Sequence, residues 1–206
     1  MLVACDKSFF MQYIIAGLGN PGKEYEDTRH NTGRIVLEDF RKRHAFSPWK
    51  RDGKHKALVS EGAVGKRDVI LVEPDAFMNL SGSSLAAFVS GKGGAGHLIV
   101  VYDDIDLPIG AIRISYDRGA GGHKGLESII KSLSTKKFIR VRVGISRTTP
   151  GGKLKKPKGE ENVLKFLMGR FAPREREIMR SVSQKAREAL QALVLEGKEK
   201  AMVTFN

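Results

Sequence analysis

The chain has 206 residues, 41% hydrophobic and 29% charged, which predicts one globular domain and excludes fibrous and disordered classes. Its single cysteine, Cys5, excludes an internal disulfide and a cysteine-built zinc site, and no apolar run reaches the roughly 18 residues of a membrane helix. Net charge is +13, and the segment 113–158 holds 13 basic residues against two acidic ones, a density that points to a polyanionic partner, most simply nucleic acid.

Residues 1–10 show neither a period nor a cap and are expected to be a disordered extension. They lack the basic start and the roughly 7–15-residue apolar stretch of a secretion signal, so the expected location is cytoplasmic. Tyr13–Leu18 is a short apolar run read as a buried strand. After the polar loop GNPGKEYEDTRHN, Asn31 or Thr32 is placed to cap a helix to about Arg43 with Val36, Leu37 and Phe40 inward. Lys56–Glu61 and Asp68–Val72 read as a hairpin around GAVGKR. Ser81 is placed to cap a helix burying Leu85, Phe88 and Val89, and GKGGAG is a loop. Leu98–Tyr102 is a continuous apolar strand ending at Asp103, and Ala111–Tyr116 is a further strand. Leu126, Ile129, Ile130 and Leu133 keep the helical period. Phe138–Ile145 alternates apolar and basic residues as a strand does, and 148–160 is a basic loop. Asn162–Met168 is a short helix. Pro173 suits a first helical turn and opens a long helix to about Leu195, with Ile178, Val182, Ala186, Ala189 and Leu193 as its apolar face. Interleaved strands and helices predict an α/β fold: a single domain over 11–196 with a mixed β-sheet flanked by helices on both faces, followed by a tail at 197–206.

Two constellations carry chemistry. Gly17-x-Gly19-x-x-Gly22 follows a strand and imitates a dinucleotide fingerprint, but that motif must open a helix at once so that the helix N-terminus meets the pyrophosphate. Pro21 and KEYEDTRHN intervene, so nicotinamide and flavin binding are set aside. The second constellation lies at strand ends. If the strands before Asn20, Asn79 and Asp103 are parallel neighbours, these residues share one rim, where α/β sheets bind ligands, and His30 leaves the first strand beside them. An imidazole can take a proton from water, a carboxylate can fix its tautomer, and carboxamides can donate to a carbonyl oxygen as it gains charge. Each residue also has a plainer reading: Asn20 as a turn residue, Asn79 or His30 as a helix cap, Asp103 as a strand-end charge. No Gly-x-Ser-x-Gly elbow and no tight His/Cys cluster occurs, so neither a covalent nucleophile nor a metal is indicated. His44, His55 and His97 have no motif around them.

GLGNPGKEYEDTRHNTG at 17–33, FMNLSG at 77–82, DDIDLP at 103–108 and GAGGHKGLESI at 119–129 resemble the bacterial peptidyl-tRNA hydrolases, in family order, from Met11 to about residue 195. The resemblance implies a single α/β domain that cleaves the ester between a peptide and the 3′ ribose of tRNA, without metal or cofactor, usually as a monomer. It implies His30 as the catalytic histidine, Asp103 as its support, and Asn20, Tyr25, Met78, Asn79 and His123 around the substrate. One departure is His123-Lys124-Gly125 where the family usually has His-Asn-Gly. Lys124 cannot accept a hydrogen bond, although it can meet a terminal phosphate or ribose. Arg113, Lys136, Lys137, Arg140 and Arg142 are expected to meet tRNA phosphates, Arg142 at a family position tied to tRNA contact, and the KLKKPK loop to reach the acceptor stem. Gly121, Gly122 and Gly125 are expected to turn backbone N–H groups toward an anion. The alternative is a non-catalytic RNA-binding relative of the splicing-factor type.

Overall fold

The apolar run at Tyr13 has no polar alternation, so it needs cover on both faces, as a central parallel strand has. The computed structural model, which describes residues 12–89 and 94–206, places it there. The elements in chain order are β1 (Tyr13–Gly17), α1 (Thr32–Arg43), β2 (Lys50–Asp52), β3 (Ala57–Val64), β4 (Arg67–Pro74), α2 (Ser81–Val89), β5 (Leu98–Pro108), β6 (Ile112–Tyr116), α3 (Lys124–Leu133), β7 (Ile139–Thr148), β8 (Leu154–Lys155), α4 (Glu160–Met168), α5 (Pro173–Leu195) and α6 (Lys198–Phe205). The sheet order is β2-β3-β4-β1-β5-β7-β6, with β8 paired to β7. β4, β1, β5 and β7 run parallel, and β2, β3, β6 and β8 join antiparallel. This is the expected mixed sheet.

Two apolar layers cover it. On one face, Val36, Leu37 and Phe40 of α1 and Val182, Ala186 and Leu193 of α5 pack on Ile15, Leu71, Ile99 and Val101. On the other, Leu85 and Val89 of α2 and Leu126 and Ile129 of α3 pack on Ile14, Ala16, Ile70 and Val100. Each fully buried Leu or Ile contributes roughly 1.5–3 kcal/mol to this core. Successive β1 residues serve opposite faces, which is why the run is apolar throughout.

Several local expectations differ. The hairpin strands extend through GAV and Arg67, because the loop is only Gly65 and Lys66: Val64 pairs with Arg67, and Gly65 takes φ +59°, which suits the first central position of a tight hairpin turn. The α5 face is formed by Met179 rather than Ile178, which is 40% exposed; position 179 is three residues before Val182 and seven before Ala186, so it lies on their stripe. The expected tail at 197–206 contains α6, which buries Ala201. Its last residue, Asn206, accepts from the Ile114 N–H (2.8 Å) and donates to the Ile114 carbonyl (3.0 Å), pairing with the open edge of β6. The basic loop at 148–160 contains β8, and α4 begins at Glu160. Residues 1–10 and part of GKGGAG lie outside the described residues.

Candidate active site

Because β4, β1 and β5 are adjacent and parallel, their C-terminal ends meet at one rim. Asn20 follows β1, the turn Met78–Leu80 follows β4, and Asp103 lies within β5. A second constraint brings His30 to them. Gly33, at the start of α1, sits so close to the sheet that a Cβ there would lie 2.3 Å from the Val101 carbonyl oxygen and 2.5 Å from the Leu18 nitrogen. The helix therefore begins directly on β1 and β5, and the short turn before it, Arg29–Asn31, hangs over Asp103. His30 Nδ1 is 3.0 Å from both carboxylate oxygens of Asp103. The two side chains are 8% and 1% exposed.

A carboxylate accepts, so Nδ1 carries the proton and Nε2 of neutral His30 keeps a free lone pair. Burial pulls the His30 pKa down, but the Asp103 charge and hydrogen bond outweigh it, and the pKa is raised above 6.5. Burial pushes the Asp103 carboxyl up, yet His30 and His123 hold it well below the usual carboxylate range. His123 is the N-cap of α3. Its Nδ1 accepts from the Gly125 and Leu126 N–H groups at 3.2 and 3.4 Å, which leaves Nε2, 3.5 Å from Asp103 Oδ1, to carry the ring proton toward the acid. The same contacts remove Gly125 from the expected anion nest, since the His123 ring already occupies its N–H group; Gly121 and Gly122 line a cavity beside His30.

Asn20 is buried and oriented from both ends. Its Oδ1 accepts from the Met78 N–H (2.9 Å), and its backbone is clasped by Asn31, whose Oδ1 accepts from Asn20 N (2.8 Å) and whose Nδ2 donates to Asn20 O (2.9 Å). Only the Asn20 Nδ2 group is left to donate toward a ligand. Asn31 holds the N-cap position of α1 but its side chain makes no capping bond, and Ser81 bonds back to the Met78 carbonyl rather than capping α2. Asn79 is exposed on the rim, Met78 is buried, and Tyr25 is half-buried in the loop between Asn20 and His30.

On the other side of His30 a cavity of about 670 Å³ opens. Its lining includes Asp103, His123, Lys124, Arg142 and, on α4, Leu164 and Leu167. Lys124 is exposed near Glu127 (3.7 Å). Arg142 is paired to Asp104 at 2.7 Å. Arg113, Lys136 and Lys137 are exposed. Arg140 corrects an expectation: it is 1% exposed, donates to the Gly119 carbonyl (2.9 Å) and the Arg118 carbonyl, and stacks on Phe138 at 4.5 Å. It holds the 118–119 loop and is not presented to a phosphate at the surface.

Comparison with known proteins gives a consistent result. A family model described as peptidyl-tRNA hydrolase matches residues 14–206. The peptidyl-tRNA hydrolase of Carboxydothermus hydrogenoformans is 42% identical over 195 residues, covering 94% of this chain and 98% of that protein. That of Aquifex aeolicus is 38% identical, covering 94% and 95%. The crystal structure of peptidyl-tRNA hydrolase from Acinetobacter baumannii superposes with a TM-score of 0.84 at 30% identity, covering 96% of each chain. This chain belongs to the peptidyl-tRNA hydrolase family. The resemblance in its four sequence blocks therefore holds, and so does the single α/β domain that it implied.

For this peptidyl-tRNA hydrolase family member, a resident metal fits the site poorly. His30, Asp103 and His123 offer ligand atoms within 4.8 Å of one another, which the spacing of these residues in the sequence gave no sign of. A metal on His123 Nε2 would move the ring proton to Nδ1, against the two N–H donors of α3; a ligating histidine normally turns its second nitrogen to an acceptor. Two residues beside the site escaped the sequence reading, Asn31 and Arg29. Both flank His30 in TRHN, and adjacency to the candidate base was the signal available.

Proposed function

We propose that this chain hydrolyses the ester joining a peptide to the 3′ ribose of tRNA, with His30 as the general base. The supporting observation is the buried His30–Asp103 pair, whose imidazole opens on a cavity walled in part by basic residues. A water attacks the ester carbonyl carbon while His30 Nε2 takes its proton. Asp103 holds the tautomer and balances the imidazolium that forms. The Nδ2 group of Asn20, with its carbonyl end already fixed by Met78, donates to the carbonyl oxygen as that oxygen gains charge. The C–O bond to ribose then breaks, and the imidazolium returns the proton to the departing 3′ oxygen. The products are a peptide carboxylic acid, which ionises, and tRNA with a free 3′ hydroxyl.

Asn79, Met78 and Tyr25 form the side of the rim that receives the peptide and the terminal nucleotide, and His123 and Lys124 the opposite side. Lys124 replaces a hydrogen-bonding amide with a mobile cation, suited to the phosphate next to the ester. Arg113, Lys136, Lys137 and Arg142 meet backbone phosphates of the acceptor stem, which reads shape rather than sequence and suits a substrate class of many tRNAs. Such a substrate places the protein where translation runs, in the cytoplasm. Among the described residues no helix is long and apolar enough to cross a membrane. The non-catalytic reading has no observation in its favour, since a binding module has no use for a buried imidazole–carboxylate pair at a cleft.

The test is deacylation of N-acetyl-aminoacyl-tRNA by His30→Ala. Turnover is expected to fall by at least ~10³-fold while tRNA binding persists. Full turnover by a folded His30→Ala protein overturns the assignment.

A further inference from the structure

Arg29, immediately before His30, is 7% exposed, and none of the steps above uses it. Its guanidinium reaches two distant elements at once. Nη1 donates to the Phe166 carbonyl of α4 (3.2 Å), and Nη2 donates to Glu175 Oε2 of α5 (2.9 Å). The same group lies 4.5 Å from the Phe166 ring centroid and 5.4 Å from that of Phe171. Its backbone N–H donates to the Gly169 carbonyl (3.0 Å), and Thr28 bridges to Arg170. A Cβ at Gly169 would lie 2.8 Å from Arg29 Nη1, so the α4–α5 junction is closed around this side chain.

Glu175 is shared. Its Oε2 also accepts from the Ala172 N–H (2.7 Å), capping α5, and its Oε1 accepts from Arg147 Nε (2.6 Å) at the end of β7. α4 itself buries no residue, and Leu164 and Leu167 on it wall the cavity beside His30. A buried ion pair is often replaceable by apolar side chains without loss of stability. Stability alone therefore does not account for a cation here. What a Met or Leu could not supply is the fork: two donors in fixed directions, to two elements, from the residue bonded to His30.

We infer that Arg29 is a positioning residue for hydrolysis: it locks the backbone carrying His30 to the α4–α5 junction, so that the imidazole meets both oxygens of Asp103 and α4 keeps its place beside the cleft. This rests on the reading of His30 as base. The charged and titratable groups facing the two residues are Asp103 and His123 at the imidazole and Glu175 and Arg147 at the guanidinium network. A base misplaced by about 1 Å loses on the order of 10²-fold in rate.

The test compares Arg29→Met and Arg29→Lys with the unaltered full chain in the deacylation assay across pH, alongside thermal melting. Arg29→Met is expected to lower kcat about 10- to 100-fold and to move the acid limb of kcat/KM to lower pH, because a loosened contact with Asp103 supports the imidazolium less. Arg29→Lys restores little, having no fork. A folded Arg29→Met protein with an unmoved acid limb, its change confined to KM or melting temperature, overturns the inference. If Arg29→Met does not fold, Glu175→Gln decides: it keeps the shape, and a lower acid limb supports the inference while an unmoved one overturns it. His30→Ala separates the two readings. If it stays active, the base assignment fails whatever Arg29 does. If it is dead while Arg29→Met matches the unaltered chain, only the Arg29 inference falls.

Discussion

Replacing Asp103 with Asn tests the pair at the centre of the mechanism. In the native site both carboxylate oxygens lie 3.0 Å from His30 Nδ1, so either accepts the Nδ1 proton and Nε2 faces the cleft unprotonated. An asparagine keeps the shape but can turn its NH₂ group to Nδ1, which then becomes the acceptor and drives the ring proton to Nε2. The base is lost in that tautomer. Inversions of this kind reduce turnover by roughly 10³–10⁴-fold, or about 4–5.5 kcal/mol of barrier at ~1.36 kcal/mol per tenfold. The pH profile supplies a second readout with a definite sign. Burial depresses the His30 pKa, and Asp103 raises it past 6.5. The base form exists only above that raised pKa, so the native acid limb of kcat/KM lies above pH 6.5. Without the Asp103 charge only burial remains, and the limb of the variant moves to lower pH. The loss is thus expected to be larger at pH 8 than at pH 6. The same linkage gives a stability signature: the contribution of His30 is fully present below pH 6.5 and fades as pH rises through its folded pKa, and Asp103→Asn removes it. Deacylation of N-acetyl-aminoacyl-tRNA between pH 5 and 9 checks both. A folded Asp103→Asn protein within tenfold of native turnover, with an unmoved acid limb, refutes the reasoning.

Two further outcomes are expected. Lys136→Ala together with Lys137→Ala is expected to reduce the slope of log KM against log salt by about 1–2, roughly 0.9 for each duplex phosphate that is no longer neutralised, whereas Arg140→Met leaves the slope unchanged and lowers the melting temperature, because its guanidinium bonds carbonyls inside the fold; titration of KM between 50 and 200 mM salt distinguishes them. Gly33→Ala is expected to destabilise the chain by about 1–3 kcal/mol, the range for overpacking, and to lower turnover beyond what urea-measured stability explains, since a Cβ there sits 2.3 Å from the Val101 carbonyl and must lift the start of α1.

What could be read from the sequence follows the range of the interactions. The central strands were legible because a parallel strand covered on both faces is apolar at every position, as Ile14, Ile15 and Ala16 are. The rim followed once parallel neighbours were assumed, because the C-terminal ends of such strands coincide. β2 was not legible: its three residues Lys50–Asp52 are all charged, and the pairing with β3 alone makes them a strand. Arg140 was misread because charge in a sequence carries no information on exposure. Along β7 the basic residues alternate with Val141 and Val143, which suggests an open face, but the loop at 118–119 closes over Arg140. Asn31 and Arg29 were missed for a related reason. Their partners, the Asn20 and Phe166 backbone and the Glu175 carboxylate, lie 11, 137 and 146 residues away, and contacts with distant groups leave no local pattern.

The misleading glycine fingerprint and the His30–Asp103 rim have one cause. In a dinucleotide fold, glycines after the first strand remove side chains so that pyrophosphate and helix come close to the backbone. Here the glycines make room for other parts of the chain, backbone at Gly17 and Gly33 and the Asn31 side chain at Gly19. A Cβ at Gly17 would lie 2.7 Å from the Gly33 carbonyl oxygen, one at Gly19 would lie 2.8 Å from Asn31 Oδ1, and one at Gly33 would strike Val101. The helix starts late, after a loop with Pro21, and then descends onto the junction of β1 and β5. Gly33 is three residues after His30, and Val101 is two residues before Asp103. Contact between Gly33 and Val101 therefore fixes the imidazole over the carboxylate with little slack, and the Gly19–Asn31 contact brings the Asn20 amide to the same rim. Close approaches at three glycines thus bring an imidazole, a carboxylate and a carboxamide to one rim.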